Sequence, residues 1–540
     1  MSASDIAALR QYLPEKSTEI KVINGYYYVY RYGSKKLENG RWGKSSGKCI
    51  GKVVAGKGFI PNKYYLEERK PNQSVRPFND LCKDVPDAAC NGTDSNNCSV
   101  NNGGECRQGI YTTLLDEITI LEYGQYAMAY KLANPVLSRL EQYFNADTAS
   151  QIFSYAVILC VNGFIHLDQI KTLYEQSWLS LINKKLGFGM GRTALGSLLH
   201  NLAMRGKRVH NYEQSVIDDC AKGNAKIAID GHAIRSCSDE NDLAETGYKY
   251  NHLKTDQVNL LMGYDVEHGY PLFARVFRGS TVDVSTIKDI TSVYEFKKIL
   301  FIVDRGFYSS ENLKLFSKNG STFIIPLPSN TKLFKDTMTT IKYTGEFYYR
   351  RGKKHTRVEY MEREIETGRK LVVCRDLDEN EKTRYNYLRC IDEGRVGYTL
   401  ENFNKNKELF GVFVLLTNTK QSAAEIFKNY KKRWTIETFY QFLKNSADFN
   451  DLKIEDYYKE TGFSFIMLIT GQIHYYLEEA VKKLKDNTTS VYDALTMARF
   501  MKIRLNNGSW QLCNTRSKDL ERMKKMGFEP DEKILVESSI

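Results

Sequence analysis

The sequence predicts an α/β chain with a mixed central sheet, preceded by a β-rich N-terminal region and a helical domain. Three observations carry this. Five short β-branched and aromatic runs lie between residues 226 and 327, with a helical stretch between the fourth and fifth. Apolar residues recur at helical spacing through about 107–222. Aromatic and β-branched runs broken by turn residues fill 18–60. With 540 residues, several cores can form without disulfides or metals.

In chain order, residues 1–83 are the β-rich N-terminal region, from EIKVINGYYYVYRYG and NGRWGKSSGKCIGKV. Arg31, Lys35, Lys36, Arg41 and Lys44 make it a candidate DNA-binding surface, with a solvated strand face as the plainer reading. Its Gly43 to Lys48 stretch lacks phosphate-loop spacing and puts Cys49 where Ser or Thr belongs. Residues 84–106 are a Cys/Asn/Gly-rich loop, and Cys82, Cys90, Cys98 and Cys106 recur every eight residues. Structural zinc sites bring ligands as closer pairs, so a flexible insertion is the better reading. Residues 107–222 form the helical domain.

Residues 223–330 begin the sheet. KIAID (226–230), DQVNLLMGYD (256–265) and YPLFARVFRG (270–279) read as a meander. KKILFIVD (297–304), the helical SSENLKLFSKNG (309–320) and STFIIPL (321–327) follow as strand, helix, strand. That order gives a mixed sheet covered by helices, as in a ribonuclease-H-like core. Residues 331–408 read as a β-rich insertion carrying the basic run Arg350, Arg351, Lys353, Lys354 and Arg357. Residues 409–485 hold the second half of the core: the strand GVFVLLTN (411–418), one long helix over 422–445 and a packing helix over 462–485. Residues 486–540 are expected to be a helical tail.

Composition limits the function classes. Lys+Arg 77 against Asp+Glu 65 gives +12, which suits a polyanionic partner without identifying one. Hydrophobic residues at 42% and charged ones at 26% describe a globular chain. No basic start followed by an apolar stretch marks a secretory signal, and no run approaches a membrane span, so no membrane association is expected. Most of the 11 cysteines sit in apolar runs, such as Cys160 and Cys374, as in a reducing compartment. A cytoplasmic protein is the expectation, nucleoid-associated when bound to DNA.

The chemistry-bearing residues are three acids. Asp230 closes KIAID and Asp304 closes ILFIVD, at strand ends where α/β sheets place ligand-binding side chains. Glu437 lies on the long helix. Phosphodiester chemistry with two Mg²⁺ ions about 4 Å apart needs such a set of hard oxygen ligands. On an ideal helix Tyr430, Arg433, Glu437 and Lys444 fall in a stripe about 60° wide, where cations and a phenol suit phosphate. Each acid has a plainer reading, as a turn cap or a solvated ion-pair partner. Three acids together, in order and on suitable elements, favour the site.

At these residues the chain resembles the bacterial DDE transposases of the insertion-sequence four family. Their third acidic block reads Tyr, two residues, Arg, three residues, Glu, six residues, Lys, and YKKRWTIETFYQFLK fits it from Tyr430 to Lys444. IDGHAIRS resembles the first block and IVDRGFYS the second. The resemblance implies that Asp230, Asp304 and Glu437 bind two Mg²⁺ ions, with Mn²⁺ able to substitute. It further implies that Tyr430, Arg433 and Lys444 contact DNA phosphates, with Arg305 and Arg235 as further candidates. A homodimer would cleave transposon-end phosphodiesters and pass the 3′-OH ends to target DNA. The basic run Arg350, Arg351, Lys353 and Lys354 is a DNA-binding candidate on its own density and aromatic neighbours.

One departure concerns the insertion, where some relatives stack an indole on a flipped base. All four tryptophans (Trp42, Trp178, Trp434, Trp510) lie outside it, leaving Phe347, Tyr348, Tyr349 and Tyr360 as possible platforms. The chief alternative is a catalytically retired or regulatory DNA-binding protein derived from a transposase. A nuclease or resolvase without strand transfer fits the insertion poorly, and a glycosidase lacks aromatic platforms beside the acids.

Overall fold

The computed structural model describes residues 18–23, 26–36, 42–54, 58–61, 119–223, 225–236, 241–247, 256–281, 283–352, 354–365, 368–441, 451–452, 456–486, 488–506, 508–530 and 533–534. Cys82, Cys90, Cys98, Cys106, Lys353 and Lys444 lie outside these residues. The chain divides into two units, Met1–Glu105 and Cys106–Ile540.

In the first unit, β1 (Thr18–Ile23), β2 (Tyr26–Lys36), β3 (Trp42–Val54) and β4 (Gly58–Pro61) form an antiparallel meander. Its small core is Val29, Ile50 and Val53, with Ile20 and Phe59 against them.

The second unit opens with β5 (Ile120–Glu122) and a run of helices that includes Gly124–Leu132, Ala146–Asn162, Arg192–Met204 and Gly206–Ala221. Through their midst passes the helix Tyr457–Lys482, buried at every residue from Gly462 to His474. A helix apolar nearly all round is a core helix. Its polar interruptions are satisfied inside: Gln472 accepts from the Tyr212 hydroxyl at 2.5 Å and donates to the Pro271 carbonyl at 3.1 Å. Burial pushes the His474 imidazole down to about 3, so it sits there neutral. Gly462 permits the close approach of two helices, because a Cβ there would lie 2.0 Å from the Leu199 carbonyl oxygen. Among the described residues no single helix is long and apolar enough to cross a membrane.

The large sheet takes β6 (Lys226–Ser236), β7 (Glu245–Thr246), β8 (Asp256–Asp265), β9 (Tyr270–Arg278), β10 (Leu300–Val303) and β11 (Thr322–Pro326). β12 (Gly345–Arg351), β13 (Lys354–Ile365), β14 (Arg369–Asp376), β15 (Val412–Thr417) and β16 (Asp451–Leu452) complete it. β9, β8 and β6 are antiparallel neighbours, while β10 runs parallel to both β6 and β11. Across the sheet these five strands follow the chain order three, two, one, four, five. The sheet is therefore mixed, as the sequence predicts.

Two stretches depart from expectation. Within 331–408, β12, β13 and β14 join the main sheet through β15. They also alternate with helices at Lys332–Thr339, Leu377–Asp392 and Leu400–Asn406. The highly polar LDENEKTRYNYLRCID is helical because Asp376 caps it, accepting from the Glu379 N–H at 3.1 Å, and Asp378 and Glu379 complement its positive end. The tail 486–540 is likewise not simply helical. Helices Val491–Arg499 and Ser517–Met526 alternate with β17 (Lys502–Asn506), β18 (Ser509–Cys513) and β19 (Lys533–Ile534). β17 pairs with β5, closing the tail onto residues 120–122. Gly508, with φ 74°, makes the tight β17–β18 turn possible.

Candidate active site

β10 is matched with β6 residue for residue, ending in Val303 opposite Ile229. The residues that follow this last pair are Asp304 and Asp230. Asp230 does not end its strand, contrary to expectation, because β6 runs on to Ser236. What ends there is β10. β8 covers one edge of β6 as far as Arg235, so β16, which pairs with Arg235 and Ser236, must take the other. Residues 230–234 therefore border a gap between β10 and β16, with Asp230 at its start.

Both aspartates also cap backbone. Asp304 Oδ1 accepts from the Arg305 N–H at 2.7 Å and opens a short 3-10 turn, Arg305–Phe307, anchored by buried Phe307. Asp230 Oδ1 accepts from the Gly231 N–H at 3.0 Å. The cap and the ligand-facing carboxylate are compatible, since each carboxylate keeps a second oxygen.

Ahead of Glu437 lies a helix that starts with a capping box at Ser422 and Glu425 and runs Ala423–Lys432. The expected single helix over 422–445 is interrupted at Arg433 and resumes as Trp434–Gln441. Around the break, the Arg433 N–H bonds to the Tyr430 carbonyl and the Ile436 N–H to the Arg433 carbonyl, both at 3.1 Å. These are tighter i→i+3 bonds, which wind the chain faster than 100° per residue and alter the ideal stripe. Buried Ile426, Phe427 and Ile436 hold the other face to the core.

The centre of the arrangement is Arg433. Its Nη2 donates to Glu437 Oε1 at 2.7 Å, and its Nη1 lies 3.6 Å from Asp230 Oδ2. Burial opposes its charge, but Asp230 foremost, then Tyr430, Asp304 and Glu437, raise the guanidinium above its ordinary value. Burial also raises the Tyr430 phenol, which Arg433 partly offsets and Asp304 reinforces. Asp230, Asp304, Glu437, Tyr430 and Arg433 thus form one cluster.

In kind, three carboxylates suit a hard divalent cation. In arrangement, they surround a guanidinium, and among the described residues no group of three or more acidic, His or Cys side chains is disposed to hold a metal ion. The donor chemistry fits, and Arg433 supplies the positive charge at the centre.

The other candidates are spread out. Arg305 is exposed one residue past Asp304. Arg235 is half-buried, and its odd offset from Asp230 along β6 puts it on the opposite face of the strand. Arg350 and Lys354 are exposed on the β12–β13 hairpin, while Arg351 is its last β12 residue. The two hairpin strands lie five and four positions from β10 in the sheet order. Its inward aromatics still reach the helix before the break: Phe347 and Tyr349 pack on Phe427, with ring centroids 5.8 and 5.5 Å away. Of the four aromatic platform candidates, Tyr348 is the one turned outward, 70% exposed and opposite Arg357.

Tyr440 also belongs to this site, though no motif marks it. Its hydroxyl donates to the Asp230 backbone carbonyl at 2.7 Å, and its ring lies 5.2 Å from that of His232. Its position three residues after Glu437 was a usable helical signal.

No curated protein matches the chain. A solved structure titled as a piggyBac transposase synaptic complex with hairpin DNA is similar at 12% identity and a TM-score of 0.34, over 75% of this chain and 82% of that one. Over residues 222–470, just under half its length and including all three acids, the chain matches the family described as Transposase DDE domain.

Proposed function

We propose that the protein is a DNA transposase, related to the insertion-sequence four family, that cuts transposon-end phosphodiesters and transfers the 3′-OH ends to target DNA. The observation that carries this reading is the convergence of Asp230 and Asp304, the residues just past the last β10–β6 pair, with Glu437 through Arg433. The strand order three, two, one, four, five supports a ribonuclease-H-like core, and the match over 222–470 supports the reaction class.

Asp230, Asp304 and Glu437 would hold two divalent ions, Mg²⁺ with Mn²⁺ able to substitute. Such ions activate water and stabilise charge on the attacking and leaving oxygens of an in-line displacement. The chain's own groups do the rest. Arg433 and Tyr430, beside the acids, grip phosphate oxygens by charge-assisted and phenolic hydrogen bonds. Lys444 and Arg305 are further phosphate contacts in this reading, whereas Arg235, on the opposite face of β6 from Asp230, would reach DNA only away from the acids. The hairpin cations Arg350, Arg351, Lys353 and Lys354 hold flanking DNA, and Tyr348 offers a face for an unstacked base. The first displacement adds water across the end phosphodiester and frees a 3′-OH. In the second, that 3′-oxygen attacks a target phosphorus and the opposing 3′-oxygen leaves. Two copies would pair the transposon ends as a homodimer, in the cytoplasm and on the nucleoid.

The test is cleavage of a duplex bearing the element's ends, with Mg²⁺ and with chelator. Glu437→Ala and Asp304→Ala should abolish cutting while end binding persists. Normal cutting by Glu437→Ala would refute the site. Specific end binding by the unaltered protein without any cutting would instead favour a retired, regulatory DNA-binding protein.

A further inference from the structure

The helix carrying Glu437 is eight residues long and follows a break, so continuity with the preceding helix does not fix its position. Two contacts do. Ile436, fully buried, holds one side to the core. On that same side, four residues further on, the Tyr440 hydroxyl donates to the Asp230 carbonyl oxygen at 2.7 Å. The Tyr440 ring is 6% exposed and rests against His232, which shares Asp230's face of β6. It reaches β6 one residue past the point where β10 stops pairing.

This bond joins the backbone of one acidic residue to the helical turn that carries another. We propose that Tyr440 is a positioning residue that sets the separation of the Asp230 and Glu437 carboxylates and so tunes the affinity of their shared cation site. The inference rests on the function proposed above. Arg433 bridges the same two carboxylates through long side chains, but a guanidinium tolerates contacts at both 2.7 and 3.6 Å. Divalent ions are less forgiving, since Mg²⁺ demands near-octahedral oxygens at about 2.1 Å. Small changes in carboxylate spacing should therefore register in metal affinity before they register in the fold.

The experiment compares the full-length protein with Tyr440→Phe, which keeps the ring and loses the hydroxyl, and Tyr440→Leu, which also loses the His232 contact. Mn²⁺ binding is measured by titration calorimetry or spin resonance, alongside cleavage against Mn²⁺ concentration, end binding in chelator and metal-free melting temperature. Tyr440→Phe should weaken Mn²⁺ binding about fivefold, the scale of one lost hydrogen bond. The Mn²⁺ concentration for half-maximal cleavage should rise by the same factor, while the rate at saturating Mn²⁺ and end binding stay within about twofold of the unaltered protein. Tyr440→Leu should weaken Mn²⁺ binding further. Unchanged Mn²⁺ affinity in Tyr440→Phe would overturn the inference. So would a loss of affinity that merely tracks a fall of several degrees in melting temperature, since Tyr440 would then be a packing residue. The unaltered protein and Glu437→Ala report separately on the proposed function: if the first cuts and the second does not, that reading stands whatever Tyr440→Phe does.

Discussion

Removing the guanidinium at the centre of the acidic cluster gives the sharpest test of its electrostatics. In Arg433→Met, Asp230, Asp304 and Glu437 keep their places and lose their common counter-ion. Breaking a buried pair by deleting one partner costs about 3–5 kcal/mol. Here the side chains of Arg433, Asp230 and Glu437 are 13%, 21% and 29% exposed, so solvent screening cuts the cost to about 1–2 kcal/mol. In a unit of this size, that lowers the melting temperature by about 1–2 °C in chelator. The carboxylates raise the guanidinium's pKa, so the deficit should hold across neutral and mildly alkaline pH. Millimolar Mg²⁺ should then separate the two proteins. In the unaltered protein an incoming cation must compete with Arg433, whereas in the variant it relieves bare repulsion and stabilises by mass action. Differential scanning fluorimetry with and without Mg²⁺ should show the larger rise in Arg433→Met. Equal melting in chelator, or equal Mg²⁺ shifts, would refute the idea that Arg433 neutralises the cluster.

Two further outcomes follow from other parts of the fold. Glu460 is buried, accepts from Asn241, and leaves Oε2 without a partner. Burial raises its carboxyl to about 8, against Asn241's opposing hydrogen bond and with help from Asp456 and Asp242. A raised carboxyl costs nothing below its unfolded value and its full penalty above the folded one. The unaltered protein should therefore melt with Glu460→Gln near pH 4.5 and fall behind it up to about pH 8, by on the order of 4 kcal/mol. Parallel melting curves across that range would count against the buried carboxyl. On the hairpin, replacing Arg350, Arg351, Lys353, Lys354 and Arg357 with Ala should flatten the salt dependence of DNA binding by up to about 0.9 log unit per lost phosphate contact. An unchanged slope in a filter-binding or anisotropy assay removes the hairpin from the interface.

Local pattern made much of the sheet legible. KIAID, ILFIVD and FIIPL are unbroken apolar runs because their strands are covered on both faces, and such runs are visible without knowing their neighbours. The alternation in GEFYYR was equally readable as exposed Glu346, Tyr348 and Arg350 against inward Phe347 and Tyr349. Its destination was not. That β14 continues the main sheet depends on pairing with β15 some forty residues later, and nothing local to either strand encodes a partner. The same holds for KIRLN, whose partner β5 lies at residues 120–122. The 377–392 helix was obscured because its helicity rests on a cap and polar residues, with little apolar periodicity.

At the site, residue spacing foretold that Arg433 and Glu437 would lie together, because an i, i+4 pair on a helix meets even when the helix tightens between them. Spacing could not show that β6 outruns β10 and so carries Arg235 on its far face, or that Tyr440 anchors to a backbone carbonyl. Those depend on register between strands. Register also bears on how the site would work. One guanidinium bonded to Glu437 and facing Asp230 cannot also form a bidentate grip on a DNA phosphate with the same donors. On the proposed function, Arg433 must exchange partners: with Asp230 and Glu437 holding divalent cations, its guanidinium would be released to turn to the phosphate. Cation and DNA binding should then favour each other, since each weakens the ion pairs that oppose the other. The measured coupling should shrink in Arg433→Met, where there is no guanidinium to exchange. Coupling of equal size in both proteins would place its origin elsewhere in the chain.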